Sequence, residues 1–82
     1  MIPRIKDIKA IDDFQLIVSF DDGFCVCYDV KDDMENIDDF KSLERVAGLW
    51  PAVKLDSSRT CVFWNDQIDL ASDTIYEYGM PV

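Results

Sequence analysis

The pattern of apolar positions changes period twice along this chain. Residues 14–20 alternate, with Phe14, Leu16, Val18 and Phe20 on one side and Gln15, Ile17 and Ser19 on the other. Residues 24–30 alternate in the same way, with Phe24, Val26, Tyr28 and Val30 against Cys25, Cys27 and Asp29. Both segments read as strands with one buried face. Asp21-Asp22-Gly23 lies between them, a three-residue loop whose glycine suits a left-handed last position. Pairing Phe20 with Phe24 sets Val18 opposite Val26, Leu16 opposite Tyr28 and Phe14 opposite Val30. A slip of one residue would scatter this apolar face, so the pattern itself selects the register.

Upstream, Arg4–Ile11 reads as a first strand that turns at Asp12-Asp13. A tight two-residue turn would put Lys9 and Asp7 on the apolar face, so a bulge or a wider turn is expected there. From Asp32 the period becomes helical. Ile37, Phe40, Leu43 and Val46-Ala47 recur at three and four, which predicts an amphipathic helix of about three turns ending at Gly48. Its acidic start and its basic Lys41 and Arg45 suit the helix dipole. Ala52–Asp56 reads as a strand, 56–59 as a turn, Thr60–Trp64 as the returning strand, and Ile68–Leu70 as a short extended piece. Ser72 is the expected N-cap of a terminal helix that Gly79 and Pro81 close. The expected fold class is α+β. It has a mostly antiparallel sheet of five to six strands, one main helix on one face and a short C-terminal helix, all in a single domain over 1–82.

Charge narrows the function. The 82 residues carry 17 carboxylates against 8 basic groups, a net charge of −9. Only Arg4, Lys6 and Lys9 cluster, and Asp7 interrupts them, so direct nucleic-acid binding is not expected. A basic protein partner, or self-association, is. No apolar run approaches a membrane span or a signal-peptide core, and the odd count of three cysteines fits a reducing, cytoplasmic setting.

The chain has no histidine, which removes the commonest general base and most zinc sites. Cys25 and Cys27 point to one side of their strand, and Cys61 could join them on another, but free cysteines of this kind ordinarily act as small buried hydrophobes. The acidic run from Asp29 to Asp39 lacks the glycine and glutamate of a calcium loop and reads as a solvated helix entrance. Paired Asp21-Asp22 sit at a hairpin tip. No catalytic residues, cofactor or metal are therefore expected. The remaining candidates for ligand or partner contact are Trp64, Asp66, Asp69 and Tyr76, in the polar stretch that leads from the last strands into the terminal helix. The competing reading is mechanical: Asn65-Asp66 turn the chain, Asp69 bonds backbone amides, and Ser72-Asp73 cap the helix.

The order Phe20-Asp21-Asp22-Gly23, Tyr28-Asp29-Val30, Phe40, Leu43, Val53, Trp64, Asp69-Leu70 and Asp73-Thr74-Ile75-Tyr76 resembles the bacterial family called domain of unknown function 2442. The family usually has Pro after the tryptophan and Gly before the later aspartate, where this chain has Asn65 and Ile68. The resemblance implies a small α+β bacterial protein. Some members are fused to helix-turn-helix domains, and others are encoded beside a second small protein in a toxin–antitoxin-like arrangement. It supplies no catalytic residues. The leading expectation is a non-enzymatic, regulatory or antitoxin-like interaction module. The alternative is a small-ligand-binding domain with a pocket near Trp64 and Asp69.

Overall fold

The computed structural model describes residues 2–82. Its strands and helices, in chain order, are β1 (Ile5–Ile11), β2 (Gln15–Phe20), β3 (Cys25–Asp29), α1 (Lys31–Asn36), α2 (Ser42–Arg45), β4 (Lys54–Leu55), β5 (Cys61–Asn65), β6 (Ile68–Ala71), α3 (Ser72–Tyr78) and β7 (Met80–Pro81). The fold class is α+β. The single five-to-six-stranded sheet is corrected to two antiparallel sheets, one ordered β1-β2-β3-β7 and the other β4-β5-β6. The reason lies at the edge of β1. Ile5 donates its amide to the Arg59 carbonyl at 2.8 Å and accepts from the Arg59 guanidinium at 3.3 Å. One residue past the strand's bulge, Asp7 takes the Ile8 amide at 3.0 Å. β4–β6 meet β1 through the Ile5–Arg59 contact and do not join its ladder.

The hairpin pairs as expected, with Leu16 opposite Tyr28 and Val18 opposite Val26. Phe20 bonds to the Phe24 carbonyl at 2.8 Å, and Gly23 takes the left-handed conformation at φ 91°. The β1–β2 register uses both of the expected devices. A three-residue turn, Asp12–Phe14, joins Ile11 to Gln15, so Ile8 and Ala10 share the face of Val18 and Leu16. A bulge between Ile5 and Asp7 then returns Ile5 to the core opposite Phe20. The turn sets Asp13 and Phe14 at φ 67° and 56°. For a bulky residue this costs about 1–2 kcal/mol. Two contacts offset it: the Phe14 ring meets Trp50 edge-on at 5.3 Å, and its carbonyl accepts the Val30 amide at 3.0 Å.

The expected continuous helix is broken. Val30 and Met34 are buried four residues apart, and Phe40 and Leu43 three apart. The six residues from Met34 to Phe40 make about one and two-thirds helical turns, which would carry Phe40 away from the core. An extended Ile37 (φ −125°, ψ 115°) resets the chain, a 3₁₀ turn follows over Asp38–Lys41, and α2 completes the face. Ile37 and Val46, expected inward, are 43% and 51% exposed. Both are the extended residues at which helical segments end. The expected strand over 52–56 shrinks to Lys54–Leu55, because Trp50-Pro51-Ala52 form a second 3₁₀ turn.

Inner faces of both sheets, the helical segments and Ile75 of α3 meet in one apolar core. Ser72 is not an N-cap. Ala71 holds that position, and Ser72 lies inside α3, its amide bonded to the Thr60 carbonyl at 2.9 Å and its buried hydroxyl without a partner. Gly79 ends α3 without a left-handed turn, at φ −67°. It is needed for space: a Cβ there would stand 2.6 Å from both the Ile75 carbonyl oxygen and Val26 Cγ2. This close approach lets the chain leave the helix directly into β7 beside β3, with Val26 opposite Pro81 and Cys27 opposite Met80. Substituting Gly79→Ala is expected to destabilise the fold by about 1–3 kcal/mol through overpacking. Urea unfolding of G79A checks this: at φ −67° alanine carries no left-handed penalty and would by itself stabilise slightly, so a net loss reports the crowding against Ile75 and Val26.

Candidate functional site

The structure separates the four residues singled out from sequence. Trp64 is a core residue, 7% exposed, stacked on Trp50 at 5.6 Å. Its Nε1 donates to the Trp50 carbonyl at 3.0 Å, so its polar edge is occupied. Asp66 is exposed in the β5–β6 turn. Asp69 is exposed on β6 opposite Phe63. The amides of this bend are held by Asn65 instead of Asp69: Asn65 Oδ1 accepts from Gln67 at 2.9 Å and from Ile68 at 3.0 Å. The Trp64 indole is thus buried in the core while the Asp69 carboxylate faces out.

Tyr76 has a different setting. It stands one turn along α3 from Ser72, and its ring packs against Phe20 and Phe24, both at 4.8 Å between centroids. Its hydroxyl donates to Asp22 Oδ2 at 2.7 Å, joining α3 to the hairpin tip across 54 residues of sequence. This contact forms one side of an open groove of about 810 Å³. Ile2, Pro3, Phe20 and Tyr76 give it apolar walls, and Arg4, Asp21, Asp22 and Thr60 supply its polar groups.

Most of those polar groups are already paired. Arg59 clamps Asp21 with two bonds of 2.8 and 2.9 Å, a bidentate fork. Asp22 also accepts the Phe24 amide at 2.9 Å, so one carboxylate both shapes the loop and holds Tyr76. The Tyr76 hydroxyl, followed by the Phe24 amide, holds the Asp22 carboxyl below its ordinary range, and Asp22 in turn raises the Tyr76 phenol. Asp22 therefore stays ionised at the hairpin side, Asp21 is neutralised by Arg59, and Arg4 brings a cation to the same groove. Sequence reading did not reach it, because its lining comes from residues 2–4, 20–22, 60 and 76, which no local period connects. The signal that was available is the second aspartate of Asp21-Asp22-Gly23, more acid than a hairpin turn requires.

Elsewhere, Cys61 lies on β5 of the second sheet, apart from Cys25 and Cys27 on β3. Among the described residues no three His, Cys, Asp or Glu side chains group as a metal site. Two carboxylates of the acidic run serve local structure. Asp29 takes the Lys31 amide at 2.9 Å and Asp33 accepts the Tyr28 hydroxyl at 2.7 Å.

The lowered Asp22 pKa gives a signed expectation. Its contribution to stability is present above the ordinary value of 3.8 and is lost as pH falls through the lower, folded value. In Tyr76→Phe the Asp22 titration, followed by NMR of its side-chain carboxyl carbon, moves up toward 3.8. An unmoved titration would show that the phenol does not hold this carboxylate.

The chain matches the model of a protein family of unknown function, DUF2442, over residues 5–81. Comparison with curated proteins and with solved structures returns no match. The match runs from the first residue of β1 through the last of β7, so it takes in every strand and helix, and the chain belongs to the DUF2442 family.

Proposed function

We propose that this chain is a non-enzymatic interaction module that holds a segment of a protein partner in the groove beside Tyr76. The observation that carries this reading is the pairing of the groove's polar side chains. Asp21 is bound to Arg59 and Asp22 to Tyr76. General acid–base or nucleophilic chemistry needs such groups free and convergent. Engaged as they are, they leave a rigid, largely apolar trough whose hairpin side keeps the Asp22 carboxylate, which suits an apolar anchor side chain with lysine or arginine on that flank. Ile2, 58% exposed on the groove wall, is an unused contact surface. The net charge of −9 favours encounter with a basic partner. On this reading the protein acts in the bacterial cytoplasm as the regulatory or antitoxin-like member of a pair.

A small-ligand function is the second reading, moved from Trp64 and Asp69 to Tyr76. It is favoured by the groove volume of about 810 Å³, within the range typical of ligand sites.

Short peptides with one leucine or aromatic anchor and basic flanks, titrated into labelled protein, are expected to shift the amide signals of Ile2, Arg4, Thr60 and Tyr76. Acid-flanked versions are expected not to. Ile2→Asp should weaken binding by more than about tenfold, since a partner would bury an unpaired carboxylate, while leaving the melting temperature unchanged. Equal binding of acidic and basic peptides, or shifts confined to another surface, would sink the proposal. Sedimentation of the free chain separates a second copy as occupant.

A further inference from the structure

The outer face of the first sheet holds a feature that the groove does not use. In β3, Val26 and Tyr28 point into the core, so Cys25 and Cys27 project from the opposite side. Both thiols are free and partly exposed. β7 brings Met80 directly opposite Cys27, and Met80 is 73% exposed. Cross-strand alternation puts its side chain on the same outer face as the two thiols. Three sulfur atoms, of residues 25, 27 and 80, thus share one patch of the outer face, with Asp29 at its border.

The spacing suits a single ion. Cross-strand neighbours have Cβ atoms about 4.5–5.5 Å apart. Cys25 and Cys27 are separated by two strand rises, about 6.6–6.8 Å. Rotation of each thiol about its Cα–Cβ bond into the staggered well that faces the other brings the sulfurs within the roughly 4.6 Å that one metal spans at about 2.3 Å per bond. The thioether of Met80 has the reach and flexibility to close the third side. Met80 supplies the third donor that a grouping of His, Cys, Asp and Glu alone leaves out.

The donor set selects the ion. Two thiolates and a thioether are soft ligands, which favour Cu(I) over magnesium, calcium or manganese. The neighbouring groups suit the exchange. Ser19 Oγ lies 3.7 Å from Cys25 Sγ, a long contact that a ligand bond can replace. The Cys27 thiol donates to Gln15 Oε1 at 3.5 Å and gives up that bond on losing its proton. The acidic chain attracts a cation. We propose that Cys25, Cys27 and Met80 form a three-sulfur site for a soft monovalent metal ion of the Cu(I) class. Binding forms two Cu–thiolate bonds and one Cu–thioether bond and releases two thiol protons, with no change of oxidation state. The proposal is independent of the groove reading, since the residues differ.

Reduced protein is titrated anaerobically against Cu(I) held by bicinchoninate. One equivalent per chain is expected to leave the chelator, with a sulfur-to-copper charge-transfer band in the near ultraviolet. Cys25→Ser and Cys27→Ser should each abolish this uptake. Met80→Leu removes a ligand bond and should weaken it by at least about tenfold, the smallest loss seen even for partners outside the ligand shell. Cys61→Ser, in the second sheet, should leave it unchanged. Circular dichroism of each variant confirms that the fold is retained. Failure of the wild type to withdraw copper, equal affinity in Met80→Leu, or equal loss in Cys61→Ser would each overturn the site.

Discussion

Two indole N–H groups hold the two sheets together. Trp64 on β5 donates to the Trp50 carbonyl at 3.0 Å, and Trp50 donates to the Ile11 carbonyl at the end of β1, also at 3.0 Å. The rings stack at 5.6 Å, and Phe14 abuts Trp50 from the hairpin side. A buried indole N–H left unbonded costs about 1–3 kcal/mol, so neither ring can shift without penalty. At the other end of β1, Arg59 performs the same task with different chemistry, bonding the Ile5 backbone and gripping Asp21. The first strand is thereby tied at both ends to the second sheet, and the inner faces are held in contact along its length. The Tyr76 groove opens beside the Arg59 tie, because that tie brings Thr60 and the residues before β1 to the hairpin tip.

What sequence could reveal follows from the range of each interaction. The β2–β3 register was legible because five residues of the pair are buried on one face and a slip would expose all of them. The β1 irregularities were legible by contradiction, since Lys9 and Asp7 had to be kept off that face. The broken helix is not legible because residue type alone does not fix burial. Ile37 and Val46 continue an apolar period, yet the chain uses them as extended breaks so that Met34 and Phe40 both reach the core. β7 was missed for a related reason. Met80-Pro81 has no period of its own, and its pairing depends on Gly79 allowing the helix end to touch Val26.

The candidate site shows the same limit more sharply. Trp64, Asp66, Asp69 and Tyr76 are close in sequence, but strand alternation and the β5–β6 turn send them to the core, to a turn tip, to an outer face and to the groove. Only Tyr76 reaches a concave surface, and its partner Asp22 lies 54 residues away. The departures from the family pattern at Asn65 and Ile68 have a local account. Asn65 closes the bend with its own side chain, accepting two amides, and Ile68 is buried at 1% exposure. This turn needs neither proline nor glycine, because an Asx-type bond supplies the constraint and an apolar side chain takes the space.

The division of labour between faces then bears on function. The inner faces are committed to packing, and their few polar atoms are nearly all spent on the ties. The groove is built where two of those ties end, so its geometry is stiffened by Arg59–Asp21 and Tyr76–Asp22 before any partner arrives. Preorganisation of this kind lowers the ordering cost of binding. The outer face of the first sheet carries no such commitment. Its cysteines make only long sulfur contacts of 3.5 and 3.7 Å, which a stronger ligand can displace without disturbing the ladder beneath. A rigid trough and a labile sulfur patch on opposite sides of one thin sheet can be occupied independently, since the backbone hydrogen bonds between them belong to neither.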